Sequence, residues 1–242
     1  MTYLYTNLIY NPLYNGFVFL SGALPFFDIG IVIILFTIIV KLILFPISKK
    51  AVRTQALMKL VEPELNSIKE KYKDDKQAQA LKVMNFYKEK QINPFSSIFL
   101  LFIQIPIIFA LYRIFYNGFS PVHIDLLYSF IHAPETVSTI FLGFVDVTSK
   151  SWFMAAIAAI SQFFQIKLSS PVLAPRKDKP SFSDDFARNM QVQMKYVLPI
   201  MIFFISANIA SALALYWITS NLFTIGQELV VRKQLVKEGL KK

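Results

Sequence analysis

The 242-residue chain contains no cysteine and only two histidines. The absence of cysteine excludes disulfides, thiolate nucleophiles and cysteine-ligated metal sites. The histidines, His123 and His132, fall in one segment between apolar stretches, and two histidines without further ligands are a poor zinc site. The first 40 residues contain no Lys or Arg, so the charged start of a cleavable signal peptide is missing. We therefore expect no metal, no other cofactor and no catalytic residue.

Apolar residues, in contrast, are abundant. They make up 55% of the chain, aromatic residues make up 15%, and the mean hydropathy is +0.49, whereas soluble domains are about 45–50% apolar. This composition predicts an all-α polytopic membrane protein that forms a single domain over residues 1–242. The predicted transmembrane helices are 29–47, 95–116, 151–168, 195–209 and 212–231. The aromatic segment 1–27, interrupted by Asn and Pro, predicts an N-terminal interfacial helix.

Residues 48–93 differ from the rest of the chain because they are strongly basic, with eleven Lys or Arg against six acidic residues. Apolar residues recur there at helical spacing on both sides of the polar sequence Lys-Asp-Asp-Lys at 73–76. The pattern predicts a helical hairpin in the cytoplasm. Together with the basic tail 232–242, this hairpin could bind RNA or the ribosome surface. Alternatively, its charges only set the topology and contact anionic lipid.

The distribution of basic residues predicts the orientation. Eleven lie in the hairpin, six lie in or beside the loop 169–194 and five lie in the C-terminal tail, whereas the loop 117–150 has only Lys150. Because positive residues favour the cytoplasmic side, the chain is predicted to have its N-terminus outside and its C-terminus inside. The last apolar block must then turn near residues 206–212, which makes the fourth span short.

The first predicted span contains one lysine. Lys41 is the only charged residue between Asp28 and Lys49, and at 1.5 Å per residue it lies roughly 10 Å from Lys49, inside the hydrocarbon. An ammonium group there costs on the order of 3 kcal/mol. No Asp or Glu was identified near Lys41, so polar faces of the spans and water must offset this cost. These candidate groove residues are Thr37, Gln104, Ser161, Gln162, Gln165, Tyr216, Ser220, Asn221, Thr224 and Gln227. Helical spacing also places Ser48 on the face of Thr37 and Lys41.

Other interpretations of Lys41 remain open at this point. A lysine can extend its side chain towards the interface, as expected for Arg113 near the end of its span. Intramembrane Ser, Thr and Gln residues often only join helices. A small transporter or channel would also place Lys41 in its solute pathway. A structural assembly factor would bind other membrane proteins without moving any part of them across the membrane. A Ser48–Lys41 catalytic dyad is not supported by any motif.

Two stretches resemble the YidC, Oxa and Alb family of membrane protein insertases: NPFSSIFLLFIQIPIIFALYRIF at 93–115 and MKYVLPIMIFFISANIASALALYWITSNLFTIGQ at 194–227. The resemblance covers about residues 10–235, and its most specific parts are QIPIIFALY and LYWITSNLFTIGQ. It implies five core helices around a hydrophilic groove open to the cytoplasm and lipid. The groove's positive residue is usually arginine in the family, and Lys41 occupies the matching position. We include Trp217, within the second motif, in the predicted groove.

The resemblance also implies a function and a location. A chain of this family inserts newly made membrane proteins into the bacterial plasma (inner) membrane and helps them fold, without any enzymatic reaction. The expected partners are nascent membrane proteins, the ribosome, a Sec translocon and membrane lipids, but not DNA. The large periplasmic domain and the N-terminal lipoprotein cysteine of some relatives are missing from this sequence, which predicts a compact bacterial form.

Overall fold

The computed structural model describes residues 2–93, 96–116, 123–134, 136–169, 189 and 192–238. Most of these residues are helical, in agreement with the predicted fold class. The α-helices in this part of the chain are α1 (Thr2–Tyr5), α2 (Asn11–Ala23), α3 (Ile29–Ile43), α4 (Phe45–Lys71), α5 (Lys76–Glu89), α6 (Ser96–Tyr116), α7 (Trp152–Ser169), α8 (Leu198–Asn208) and α9 (Ser211–Lys237). Two π-helical segments, Thr6–Tyr10 and Gln193–Val197, precede α2 and α8, and Ile124–Leu126 forms a 3₁₀ turn. The strands β1 (Ile140–Phe141) and β2 (Val145–Asp146) pair antiparallel. The basic residues predicted for the second cytoplasmic loop, Arg176 to Arg188, lie outside the described residues.

Helices α3 and α4 meet at a sharp bend of 73°. The Asp28 carboxylate caps α3 by accepting a hydrogen bond from the backbone N–H of Ile31 at 3.1 Å. Pro46 has no N–H with which to continue α3, and it lies instead in the first turn of α4. The first predicted helix extends from residue 29 to residue 47, with Ser48 on the face of Lys41. That shared face is wrong, because the bend interrupts the 3.6-residue period.

Length and hydropathy are the test of whether a helix can cross a membrane. Among the described residues, no single helix is long and apolar enough to cross a membrane, whereas α3 and α4 together pass this test across their bend. The five predicted spans and their orientation therefore remain predictions.

The main apolar core lies between α2, α3, α6, α7 and α9. The N-terminal segment, which was predicted to lie on the membrane surface, contributes directly to this core. The Phe17 ring packs edge-on against Phe36 of α3 and Phe115 of α6, with centroid distances of 5.5 and 5.7 Å. Such aromatic pairs add about 0.5–1.5 kcal/mol beyond the apolar area that they bury. The N-terminal segment is therefore part of the helical bundle.

A buried asparagine attaches the N-terminal helix to the loop that follows α6. Asn15 is only 1% exposed. Its amide donates hydrogen bonds to the carbonyls of Asn11 and Leu126, both at 2.9 Å, and its side-chain oxygen accepts one from the N–H of Tyr128 at 2.7 Å. The Tyr14 hydroxyl accepts another from the N–H of His123 at 2.8 Å. Asn15, which interrupts the apolar pattern of the sequence, thus holds this loop in place together with Tyr14.

The β-hairpin holds the start of α3 and the turn between α8 and α9. Its turn has positive φ angles at Leu142 (51°) and Gly143 (81°). The Phe141 ring of β1 packs directly on Gly30, where a side chain would not fit. After β2, the carbonyl of Ser149 accepts hydrogen bonds from both the N–H and the hydroxyl of Ser211. The turn between α8 and α9 ends at Ser211, where α9 begins, and lies within the region 206–212 where the sequence predicted a turn.

Helices α4 and α5 form a helical hairpin in the basic segment 48–93. The turn between them is capped by Asp75, whose carboxylate accepts hydrogen bonds from the N–H groups of Gln77 and Ala78 at 3.1 and 2.9 Å. Lys90 pairs with Glu64 at 2.8 Å, which places the end of α5 beside the middle of α4. The two helices are therefore antiparallel. Four buried apolar residues form their small core: Val61, Leu65, Phe86 and Ile92.

Helix α9 extends beyond the predicted span. Residues 232–237, predicted as the start of a basic tail, belong to α9. The buried Val231 and Leu235 pack there against Val52 and Ala56 of α4. These six residues are helical because their apolar neighbours continue the helical period, and the cytoplasmic location of the tail stays a prediction. Residues 239–242 lie outside the described residues.

Candidate hydrophilic groove

Helix α9 carries the polar stripe around which the candidate site is built. It contacts α3, α4, α6, α7 and α8, so most of its surface is packed against other helices, although Leu222, Leu229 and Val230 stay exposed. Its first turns are small and apolar, and Ala212 and Ala214 are fully buried, which brings the neighbouring helices close. Further along, polar residues follow the helical period on the side that meets α4, α6 and α7. Most of them are buried: Tyr216, Ser220, Asn221 and Gln227.

The first contact of the stripe joins α9 to α6. The half-buried Gln104 donates a hydrogen bond from its amide to the Tyr216 hydroxyl, and Tyr216 is only 2% exposed. Ser220, which is 7% exposed, lies one turn further along α9. Gln104 and Tyr216, predicted as groove residues from separate segments, therefore form a direct pair.

The second contact joins α9 to α7. The Asn221 amide donates a hydrogen bond to the Ser161 hydroxyl oxygen at 3.0 Å, and the same hydroxyl donates to the Ala158 carbonyl at 2.8 Å. Both side chains are 7% exposed. Because a buried polar group costs about 1–3 kcal/mol when it loses its partner, this pair fixes how α7 and α9 pack.

The third contact joins α9 to α4, just after the bend. The Gln227 amide donates to the Ser48 hydroxyl at 2.9 Å, and a second contact of 3.3 Å joins that hydroxyl to the Gln227 side-chain oxygen. Ser48 therefore belongs to the polar system through Gln227, although it does not share a helix face with Lys41. The structure thus supports, for these three contacts, the alternative in which intramembrane polar residues join helices.

The remaining predicted residues make local contacts. On α7, the half-buried Gln162 donates to Gln165, and Gln165 donates to Ser169, both at 3.2 Å. The Thr37 hydroxyl donates to the Ile33 carbonyl at 2.6 Å, and the Thr224 hydroxyl donates to the Ser220 carbonyl at 2.8 Å. The half-buried Trp217 packs against the main apolar core instead of joining a polar contact.

Lys41 differs from every other candidate residue. It lies in the last turn of α3, one turn after the buried Thr37, and is itself half-buried. Within the described part of the chain, its ammonium group makes no hydrogen bond or ion pair. A half-buried cation without a protein partner can attract an anionic group of another molecule, because charge interactions strengthen as the local dielectric constant falls.

One buried carboxylate was not among the predicted site residues. Glu228 lies inside the predicted fifth span and is completely buried. One of its oxygens accepts a hydrogen bond from the Arg232 guanidinium at 2.7 Å, and the other has no partner among the described residues. Arg232 also donates to the Leu168 carbonyl at the end of α7. The signal was present in the sequence, because Glu228 follows Asn221 by seven residues and precedes Arg232 by four. Glu228 therefore pairs within α9 rather than with Lys41.

The comparisons with known proteins cover most of the chain. The sequence model of the 60Kd inner membrane protein family matches residues 19–238. A protein named membrane protein insertase YidC from Clostridium tetani is 34% identical over 218 residues, which are 90% of this chain and 88% of that protein. A protein of the same name from Francisella tularensis subsp. novicida is 31% identical over 206 residues, and the match covers 84% of this chain but 32% of that protein. The chain therefore spans about a third of the length of the Francisella relative and nearly the full length of the clostridial one. Since the family match extends over almost all of the described helices, this chain belongs to the 60Kd inner membrane protein (YidC/Oxa) family.

Proposed function

We propose that this chain is a membrane protein insertase that works in the bacterial plasma membrane, with Lys41 as the charge that attracts its substrates. The names of the relatives support the general role. The observation that carries the mechanism is the half-buried ammonium of Lys41, which has no anionic partner among the described residues. In this proposal the five predicted spans cross the membrane, with the N-terminus outside and the C-terminus inside.

Lys41 would act on the acidic N-terminal tail of a substrate. At 4 Å, two unit charges attract by about 1 kcal/mol in water and about 4 kcal/mol at an effective dielectric constant of 20. A carboxylate that approaches Lys41 from the cytoplasm would therefore recover several kcal/mol of the cost of leaving bulk water. The attraction would hold the tail part of the way across the membrane, without nucleotide hydrolysis.

The polar side chains near the cytoplasmic half would keep such a tail solvated. The amides of Gln162 and Gln165 are half-buried and bond only along their own helix in the described structure, so they can exchange these bonds for bonds to a peptide. The buried contacts of Tyr216, Asn221 and Gln227 would instead hold the walls of the groove together. The stripe on α9 would thus combine solvation with structural support.

The apolar segment of the substrate would leave towards lipid along α6 and α8. Both helices expose large apolar side chains, including Phe102 and Phe109 on α6 and Ile200 and Phe204 on α8. Exposed side chains of this kind are stable against lipid and costly in water. The hairpin α4–α5 and the basic end of α9 would receive the nascent chain, the ribosome or a Sec translocon, a role supported by their positive charge.

Insertion into liposomes tests the role of Lys41. The purified chain is reconstituted, and a single-span protein with an acidic N-terminal tail is added; protection of the tail from external protease measures insertion. We expect K41A and K41E to reduce insertion and K41R to retain it. A matched control moves the charge without removing it: K41M combined with I39K keeps one lysine in α3 but places it on the exposed face. Both K41M and this double variant should insert less substrate than the wild-type chain, and by a similar amount.

Several outcomes would contradict the proposal. If K41A and K41E insert the substrate as well as the wild-type chain, charge attraction by Lys41 is wrong. Crosslinking of the substrate without protection of its tail would identify an assembly factor. An ion flux through the same liposomes that depends on Lys41 would instead support the transporter or channel.

A further inference from the structure

An open apolar pocket lies between the N-terminal segment and the second half of α6, away from the polar stripe of α9. Its volume is about 520 Å³, within the range of about 300–1,000 Å³ that is usual for small-ligand pockets. The lining residues are Tyr5, Ile105, Pro106, Phe109, Tyr112 and Arg113. The proposed insertion mechanism assigns no role to this pocket.

Arg113 gives the pocket one charged edge. Its side chain is exposed, and its guanidinium carbon lies 4.8 Å from the centre of the Tyr10 ring. Within the described ranges, no carboxylate forms an ion pair with Arg113. Stacking on an aromatic ring uses the flat face of a guanidinium, so its N–H groups, which point outwards in the plane, stay available for an anion. A guanidinium of this kind binds phosphate oxygens through two parallel hydrogen bonds.

The rest of the pocket continues into an apolar strip along α6. Phe102, Ile105 and Phe109 are 67%, 49% and 63% exposed, and their spacing of three to four residues places them on one side of the helix. The strip leads away from Arg113 towards the start of α6. A ligand that matches the whole surface therefore has a phosphate at one end and a long hydrocarbon chain at the other.

We propose that this pocket binds one anionic phospholipid, with its phosphate at Arg113 and an acyl chain along Ile105 and Phe109. The charge of Arg113 is the argument for a lipid over a purely apolar protein segment, which would leave the guanidinium without an anion. The inference rests on the membrane location that accompanies the proposed function. It does not depend on insertase activity, because the lipid is bound in the absence of substrate.

Native mass spectrometry of the full chain tests the site. The protein is released from micelles that contain equal amounts of phosphatidylglycerol and phosphatidylcholine, and the retained lipids are counted. Both lipids carry the phosphate, but the choline cation of phosphatidylcholine would be repelled by Arg113. We therefore expect the wild-type chain to retain phosphatidylglycerol with a preference of roughly tenfold, the size of one charge interaction. R113Q should lose the preference, R113K should keep part of it, and F109A should lower the retention of both lipids.

The matched control is K150Q, which removes the only other basic residue predicted to lie near the outer surface and should leave the preference unchanged. The thermal midpoint of each variant reports whether it is folded. Equal retention of the two lipids by the wild-type chain overturns the proposal without any variant, and so does an unchanged preference in R113Q. Displacement of the lipid by an apolar single-span peptide at an equal molar ratio would show that a protein segment is the preferred occupant. Insertion of substrate is measured separately, so loss of lipid binding and loss of insertion are distinguishable.

Discussion

Replacing Gly30 by alanine should destabilise the protein, although the same change in the middle of a helix is normally favourable. A Cβ atom at Gly30 would lie 2.3, 2.6 and 2.8 Å from the Cδ2, Cγ and Cβ atoms of Phe141. Carbon atoms in contact normally lie about 3.5–4.0 Å apart. A change of the Phe141 rotamer would move the ring atoms but not Cβ, so it cannot relieve the contact of 2.8 Å. The β-hairpin must move away from α3, together with the hydrogen bond from the Ile29 N–H to the Ser138 carbonyl at 2.9 Å.

Gly226 in α9 provides a matched control, because a Cβ atom there would meet nothing within 4 Å. Alanine gains up to about 1 kcal/mol of helix propensity over glycine in a helix interior, where Gly226 lies, and less in the first turn of α3, where Gly30 lies. The cost of overpacking at Gly30, about 1–3 kcal/mol, therefore makes up most of the difference expected between G30A and G226A. For a chain of this size, each kcal/mol corresponds to about 2–4 °C in the thermal midpoint. We therefore expect G30A to unfold about 2–12 °C below G226A.

Thermal unfolding in one detergent, followed by the loss of monodisperse protein, measures this difference. In the F141A background, G30A should lower the thermal midpoint by less than it does in the wild-type background. The reason is that two of the three close contacts involve ring atoms, which F141A removes. Equal midpoints for G30A and G226A would refute the close packing of the hairpin on α3. A higher midpoint for G30A would refute it as well.

Two further predictions concern contacts outside the polar stripe. N15A removes the partner of the Tyr128 N–H and the Leu126 carbonyl and should cost about 1–3 kcal/mol; hydrogen exchange at Tyr128 should become faster, and an unchanged rate would contradict the role of Asn15. The Arg53 guanidinium holds the pKa of the Glu238 carboxyl below its usual value, so this pair stabilises the fold above the ordinary glutamate pKa of about 4.3 and ceases to do so as the pH falls through the lowered value. E238Q should therefore have a slightly lower thermal midpoint than the wild-type chain at pH 7, and the gap should narrow as the pH falls below the ordinary glutamate pKa; a gap that does not change with pH would show that the charge is not its cause.

Patterns that repeat along the chain predicted much of the fold. The apolar segments and the charged residues between them predict helices close to the observed α6, α7 and α9, because burial of an apolar face is the main source of helix stability. The same period predicted the polar side of α9 from Tyr216, Ser220 and Gln227. The structure pairs Tyr216 and Gln227 with residues of other helices, which sequence spacing alone does not specify.

Features that depend on contacts between distant segments were not predictable in the same way. Strands of two residues are too short for an alternating pattern, so the β-hairpin gave no signal. Asn15 looks like a helix interruption until its partners more than 100 positions away are known. The burial of Glu228 depends on Arg232 and on the end of α7. The bend after α3 depends on the local geometry around Pro46. A proline in the first turn of a helix does not by itself specify the angle to the preceding helix, so the sequence did not predict the bend.

The contacts of α4 have a consequence for how the protein itself is made. Ser48 bonds to Gln227 across 179 positions, and Arg53 bonds to Glu238 across 185. During synthesis, α4 therefore emerges long before its partners exist and must wait for nearly the whole chain to be translated. Because closing so long a loop is entropically costly, these contacts should form last. A ribosome that stalls before α9 would release a chain whose basic hairpin keeps its contacts to α6 and α7 but lacks those to α9, so the final helix completes the assembly of the first ones.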